Sequence, residues 1–200
     1  MPITTDTLRV GITSIGARLE TEHEMLTELD GKVGDGDLGL TLLKAFRALG
    51  SVEALPTADL GQALFQMGSA TSKVSSSSFG TLMATAFLAV AKAVKGRQSA
   101  DWSELSGFLA TARQAMEARG KASLGDKTVL DALHAIEIAT AGVADPAAQL
   151  VASRQAVDRA LAEFRDKPNR IGRARVYGER TIGVDDPGMM AVKVMLDGLH

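Results

Sequence analysis

The chain contains no cysteine, which excludes disulfides, thiolate nucleophiles and any metal centre built on cysteine sulfur. Aromatic residues are scarce, at 4% of 200 residues, while hydrophobic residues still reach 46%, so the core has to be aliphatic and alanine-based. There is no run of 18 uncharged apolar residues, and the N-terminus lacks a basic stretch followed by an apolar one. No membrane segment or secretory leader is expected, and the default location is the cytoplasm. A formal charge of −2 gives no general attraction to nucleic acid or to an anionic membrane surface. The three histidines, His23, His134 and His200, are too scattered to form a spaced ligand set. A chain of this length suits one domain, residues 1–200, with one sizeable core.

What is present is helical periodicity nearly throughout. Leu8, Ile12, Ile15, Leu19, Leu26 and Leu29 predict a long first helix after a Thr5/Asp6 cap. Leu40, Leu43 and Phe46 predict a second, ending at Gly50, and after a connection at Leu55-Pro56-Thr57 a third carries Leu60, Leu64 and Met67. Leu82, Met83, Ala86, Phe87 and Val90 mark a fourth helix over 79–94. A fifth, starting at Asp101 or Ser103, turns Leu105, Phe108, Ala112 and Met116 inward, with Gly120 past its end. Asp126 is the expected cap of a sixth, carrying Val129, Leu130, Leu133 and Ile136. Asp145-Pro146 opens a seventh with Leu150, Val157, Leu161 and Phe164, and Met190, Val194, Met195 and Leu199 close the chain in an eighth. No β alternation and no repeat of 20–50 residues occurs. Eight helices with mostly short connections imply an all-α bundle of antiparallel neighbours.

Four loops are unusually rich in glycine, serine and polar residues: Asp30–Leu38, Ser69–Ser78, Gly120–Asp126 and Gly172–Gly188. They follow helices one, three, five and seven, so an up-and-down bundle places all four at the same end. That end is the expected working end.

The stretch Asp30-Gly-Lys-Val-Gly-Asp-Gly-Asp37 gathers three carboxylates and three glycines into eight residues. Two readings compete: a solvated acidic turn, or a site for a hard divalent cation that relieves the mutual repulsion of the carboxylates. The spacing is not that of an EF-hand, and few ligands in a short loop suit Mg²⁺ better than Ca²⁺, because Mg²⁺ keeps waters and shares phosphate oxygens. A phosphate would also need backbone N–H donors, which Gly39-Leu40-Thr41 and Ser75–Ser78 offer at helix starts. The last loop sets Arg173, Arg175 and Arg180 among glycines, a composition that pairs with phosphate or carboxylate; Arg180 could equally brace its own loop through Glu179 or Asp185.

With these residues in view, the chain resembles the nucleotide-binding subunit of dihydroxyacetone kinase in its free-standing form. The resemblance rests on Leu26-Thr-x-Leu-Asp30 running into Val33-Gly-Asp-Gly-Asp37, on Phe79-Gly-Thr81, on Gly120-Lys-Ala with Gly125-Asp-Lys-Thr128, and on Gly172-Arg-Ala…Gly178-Glu-Arg-Thr-Ile-Gly…Asp186-Pro-Gly188, in that order. It implies a barrel of eight antiparallel helices with ADP or ATP at one end, held through two Mg²⁺ ions. It further implies that Asp30, Asp35 and Asp37 are the metal ligands, and that Leu38, Gly39, Leu40, Thr41, Val74 and Ser75 lie against the phosphates. Gly120 and Val129 would border the base, and Arg173 with Asp186, Pro187 and Gly188 would close over the nucleotide. No catalytic residue is implied beyond the metal ligands and Arg173, because phosphoryl transfer needs mainly positioning and charge neutralisation.

The resemblance also implies a partner subunit that holds dihydroxyacetone or a related small ketose, so this chain would present the phosphoryl group. The donor is either ATP or a phosphohistidine protein of the sugar phosphotransferase system, with ADP then a bound cofactor. A homodimer is one assembly the sequence allows, and neither nucleic acid nor membrane is an expected partner. Two departures stand out. Leu38 occupies a position where the family usually has histidine, and Ser72-Lys-Val-Ser-Ser-Ser77 replaces a Gly-Gly-Ala-Ser-Gly-Pro loop, leaving Lys73 as the candidate substitute phosphate contact. The altered loop motivates the competing reading, a non-catalytic metal- or nucleotide-binding regulatory module.

Overall fold

The computed structural model describes residues 2–52, 59–75 and 77–200. Among the described residues there are eight α-helices: α1 (Thr5–Val33), α2 (Leu38–Gly50), α3 (Leu60–Val74), α4 (Ser78–Ala93), α5 (Leu105–Gly120), α6 (Val129–Thr140), α7 (Pro146–Arg165) and α8 (Pro187–Gly198). Two 3-10 segments, Trp102–Glu104 and Ala174–Thr181, precede α5 and α8. Among the described residues the only β pairing is one antiparallel bridge, in which Ile3 and Ala100 exchange backbone hydrogen bonds of 2.8 and 2.9 Å. The expected connection at Leu55, Pro56 and Thr57 lies outside the described residues.

Each helix packs on its neighbours in sequence, and α8 returns to pack on α1, so the eight staves close into a ring. The expected all-α bundle is therefore a barrel. α1 shows how a stave is built: its buried residues, Thr5, Ile12, Leu19, Leu26 and Val33, recur every seven positions. Seven residues are nearly two turns, so the stripe drifts only ~20° per step and stays aimed at the barrel interior. Leu8 and Ile15, expected inside, flank this stripe and are half-buried. Full burial of Leu19 and Leu26 contributes about 1.5–3 kcal/mol each. One apolar cluster gathers residues of α1–α4, a second those of α5–α7, and α8 supplies buried side chains to both.

Helix ends differ from expectation in five places, four of them next to the site. Thr4, not Thr5 or Asp6, caps α1: the Thr7 amide donates to Thr4 Oγ1 at 3.3 Å and the Thr4 amide to Thr7 Oγ1 at 2.7 Å. α1 then runs through Asp30 to Val33, so Asp30 is helical and only residues 34–37 form the turn. α3 continues to Val74 because Thr71, one turn beyond Met67, is itself fully buried and extends the inner face. The expected Ser69–Ser78 loop thus shrinks to a short turn, with Ser75 and Ser77 described and Ser76 outside the described residues. Gly120 is the last residue of α5, and Lys121 takes the left-handed conformation past its end (φ 55°). Finally, Thr128 rather than Asp126 caps α6, in a reciprocal arrangement with Asp131.

Candidate functional site

Asp30, Asp35 and Asp37 converge: one carboxylate oxygen from each lies within 4.8 Å of the others. The turn is folded back by Asp30 itself, whose Oδ2 accepts the amides of Asp37 at 2.9 Å and Leu38 at 3.3 Å. Two glycines make the geometry sterically feasible. A Cβ on Gly34 would lie 2.3 Å from Asp30 Oδ1, and a Cβ on Gly39 would lie 1.9 Å from the His23 carbonyl oxygen of α1. The first turn of α2 therefore rests directly against α1 and brings Asp37 beside Asp30. Partial burial, and then the charge of Asp30, push the Asp37 carboxyl above its ordinary range. Asp35 is more exposed and forms an ion pair with Arg173. Three converging carboxylates with one arginine as direct counter-charge form a hard, all-oxygen donor set that fits a divalent cation such as Mg²⁺.

Beside the carboxylates lies a cavity of about 560 Å³. All four polar loops contribute to its lining, as expected from counting helices. Its lining is part polar, with the three aspartates, Ser77, Ser78, Arg119 and Arg173, and part apolar, with Phe79, Leu82, Met116, Val129 and Leu130. Side chains cap α4 (Ser77), α6 (Thr128) and α8 (Asp186), whereas α2 has no side-chain cap. The Leu38 amide at the start of α2 is instead taken by Asp30 Oδ2, and Gly39 after it is buried against α1.

Of the residues expected at the site, Leu38, Gly120, Val129, Arg173, Asp186, Pro187 and Gly188 line the cavity together with the three aspartates. Gly39, Leu40, Thr41, Val74 and Ser75 do not. Gly39 is buried against α1, and Leu40 points outward at 45% exposure. Thr41 and Ser75 meet each other's surroundings at Gly80, behind the lining: a Cβ on that glycine would contact both. Val74, at the end of α3, faces out and shares with Lys73 a separate cavity against Ala48, Ser51 and Phe65. Lys73 is therefore not the substitute phosphate contact; the hydroxyls that do reach the main cavity are those of Ser77 and Ser78. In the arginine loop, Asp185 pairs with Arg165 at 2.7 Å, and Arg180 lies over the Tyr177 ring at 5.9 Å.

Asp186 is buried at the cavity edge. It caps α8 by accepting the Met189 amide at 2.9 Å, and Asn169 Nδ2 donates to its other oxygen at 2.9 Å. Burial pushes its carboxyl up to about 7 despite these hydrogen bonds. Asn169, the buried Lys127 and the apolar wall residues Phe79, Leu82 and Met116 escaped the sequence reading. Leu82 and Met116 carry a sequence signal only as core positions, and Phe79 and Lys127 only as members of Phe79-Gly-Thr81 and Gly125-Asp-Lys-Thr128, while Asn169 carries none.

The DAK2 domain family matches residues 32–200 of this chain. Among curated proteins, the chain is 31% identical over 194 residues to the PEP-dependent dihydroxyacetone kinase, ADP-binding subunit DhaL, of Escherichia coli (strain K12), covering 94% of this chain and 92% of that protein. It is 29% identical over 203 residues to the PTS-dependent dihydroxyacetone kinase, ADP-binding subunit DhaL, of Lactococcus lactis, covering 98% and 97%. Among solved structures, it superposes on the dihydroxyacetone kinase from C. freundii in complex with AMP-PNP and Mg²⁺ with a TM-score of 0.77 and 25% identity; the match covers 99% of this chain and 34% of that one.

Proposed function

Because the chain belongs to the DAK2 domain family, we propose that it is the nucleotide-binding, phosphoryl-carrying subunit of a dihydroxyacetone-type kinase. The observation that carries this is the convergence of Asp30, Asp35 and Asp37 in the lining of a cavity that also carries hydroxyl, arginine and apolar side chains. Such a lining offers charged and hydroxyl groups to phosphates and apolar side chains to a base. Asp30, Asp35 and Asp37 would hold magnesium, with two ions as the resemblance implies, and a bound Mg²⁺–nucleotide would supply the charge neutralisation and the transferable phosphoryl group.

This chain's own residues do the rest. The hydroxyls of Ser77 and Ser78, which line the cavity, orient phosphate oxygens. Val129, Leu130, Leu82 and Met116 exclude water around the base. Arg173 pairs with Asp35, and were that carboxylate engaged by a metal its guanidinium would be free to pair with a phosphate. Asp186, Pro187 and Gly188 form the edge that closes on the nucleotide. All of these residues position or neutralise; none is set up as a nucleophile.

The acceptor ketose sits on a separate subunit, and the phosphoryl donor is a phosphohistidine protein, with ADP remaining bound as cofactor. The names of the Escherichia coli and Lactococcus lactis relatives, both ADP-binding subunits of PEP- or PTS-dependent kinases, support this choice over free ATP. Among the described residues no helix is long and apolar enough to cross a membrane, consistent with a cytoplasmic location. The test is thermal unfolding with and without ADP and Mg²⁺, since a ligand that binds only the folded state raises the midpoint. Wild type should shift upward and Asp35→Asn should lose most of the shift; an equal shift in both discards the metal assignment. Mass spectrometry of the purified protein under native conditions tests the donor, with retained ADP expected and an empty site pointing to ATP exchange.

A further inference from the structure

We propose that Lys127 is a positioning residue that clamps together the chain segments before and after Arg173 and so sets Arg173 and Asp186 at the cavity. The proposal rests on the nucleotide-site reading above. The Lys127 side chain is fully buried, and its ammonium spends all three N–H donors on backbone carbonyls: Arg165 at 3.3 Å, Lys167 at 2.7 Å and Thr181 at 2.9 Å. The first two lie at and just past the end of α7 and the third ends the 3-10 segment Ala174–Thr181, so one cation ties together the chain before and after Arg173. The clamp continues through the backbone. Asn169 Nδ2 donates to the Lys127 carbonyl at 2.7 Å and to Asp186 Oδ2 at 2.9 Å, while the Asn169 amide donates to Thr181 Oγ1 at 2.9 Å. Thr128, Val129 and Leu130, which follow Lys127 directly, line the cavity.

A buried ammonium is an expensive way to fill space. Among the described residues no carboxylate comes within ion-pair distance of Lys127, and desolvation lowers its pKa, so its charge is sustained by oriented carbonyl dipoles and more distant aspartates. Its backbone is also left-handed, with φ 62°, a conformation that costs free energy for a residue with a Cβ. An apolar residue with ordinary backbone geometry would pack the same volume at lower cost. What it could not do is gather three carbonyls from two chain segments at one point. That specific ability is what the arginine loop requires, since Arg173 reaches Asp35 only from a loop whose ends are fixed.

The test uses the full chain with Lys127→Met, probed by ADP with Mg²⁺, by Mn²⁺ alone and by trypsin. Releasing a loop that supplies a charge-assisted phosphate contact should weaken ADP binding about tenfold or more. Mn²⁺ binding, which depends on the aspartates, should stay within about twofold, and nucleotide-free protein should be cut faster after Arg173, Arg175 or Arg180. In an Arg173→Gln background the same substitution should weaken ADP binding by less than about threefold, because the two residues act through one contact. Unchanged ADP affinity, equal weakening of Mn²⁺ and ADP, or a full effect in the Arg173→Gln background each overturn the proposal and leave Lys127 a stability residue. Should Lys127→Met fail to fold, Asn169→Ala loosens the same clamp with the ammonium retained, and the same outcomes decide. Failure of the wild type to bind ADP sinks the nucleotide reading itself, a result distinct from a wild type that binds and a variant that binds equally well.

Discussion

Gly39→Ala separates two roles for one residue. The family resemblance placed Gly39 against the phosphates, whereas the structure buries it against α1. If it only approached phosphates, alanine would leave the nucleotide-free protein as stable as before, or more stable, because alanine is better than glycine inside a helix by about 1 kcal/mol. The packing says otherwise. The added Cβ would lie 1.9 Å from the His23 carbonyl oxygen and 2.4 Å from Thr27 Oγ1. The His23 oxygen is helical backbone and cannot rotate away, so α2 must back off by more than 1 Å, measured against an ordinary Cβ contact of 3.4–4 Å. Overpacking of this kind costs about 3 kcal/mol at the upper end of the usual range. Net of propensity, about 2 kcal/mol of stability is lost, which for a chain of this size lowers the unfolding midpoint by about 4–8 °C. Thermal unfolding of nucleotide-free protein in EDTA reads this directly. A midpoint unchanged or raised would refute the packing role and return Gly39 to the phosphates. Because Asp37 and Leu38 travel with α2, the same variant should also bind Mn²⁺ more weakly.

Other perturbations follow from the same contacts. Arg113 is buried between Glu137 (2.8 Å) and Glu117 (3.3 Å), and Arg113→Met should cost about 2–4 kcal/mol by stranding Glu137, measurable by urea unfolding. Arg113 also holds the Glu137 carboxyl below its ordinary range, so that stabilisation is present above the unfolded carboxylate range and fades as pH falls through the folded value; the variant should lack this acid-dependent part. Asp186 has the opposite sign. Its folded pKa of about 7 lies above the unfolded value of 3.8, so stability should decline as pH rises between them, by at most about 1.4 kcal/mol per pH unit. Asp186→Asn, which keeps a capping oxygen, should flatten that slope. Arg47 pairs with Glu20 on the open surface, and Arg47→Ala should move the unfolding midpoint by less than about 2 °C.

Much of the fold was legible because the barrel is built from amphipathic helices whose apolar period survives in the sequence. Counting those helices was enough to bring the four polar loops to one end, and the cavity draws on all four. The aspartates were legible because three carboxylates in eight residues are costly unless something binds them. Helix ends were less so. Serine and threonine near the end of α3 suggested a loop, but burial of Thr71 keeps the helix going, and this moves Lys73 and Val74 away from the cavity. Asp126 and Thr128 both had capping chemistry; the partnership of Thr128 with Asp131 decided between them. Contacts between segments far apart in the chain had no local signature. The Lys127 ammonium meets carbonyls 38, 40 and 54 residues away, and nothing in the pattern around Gly125 foretold that.

Calorimetric titration of ADP into wild-type protein first stripped of any retained nucleotide, once with Mg²⁺ and once with EDTA, tests the nucleotide–metal site most directly. One ADP should bind per chain in Mg²⁺, with affinity falling by an order of magnitude or more in EDTA as the phosphates lose the bridge to Asp30, Asp35 and Asp37. Equal affinity in both buffers, or no binding in either, contradicts a site in which three aspartates hold the metal for a nucleotide.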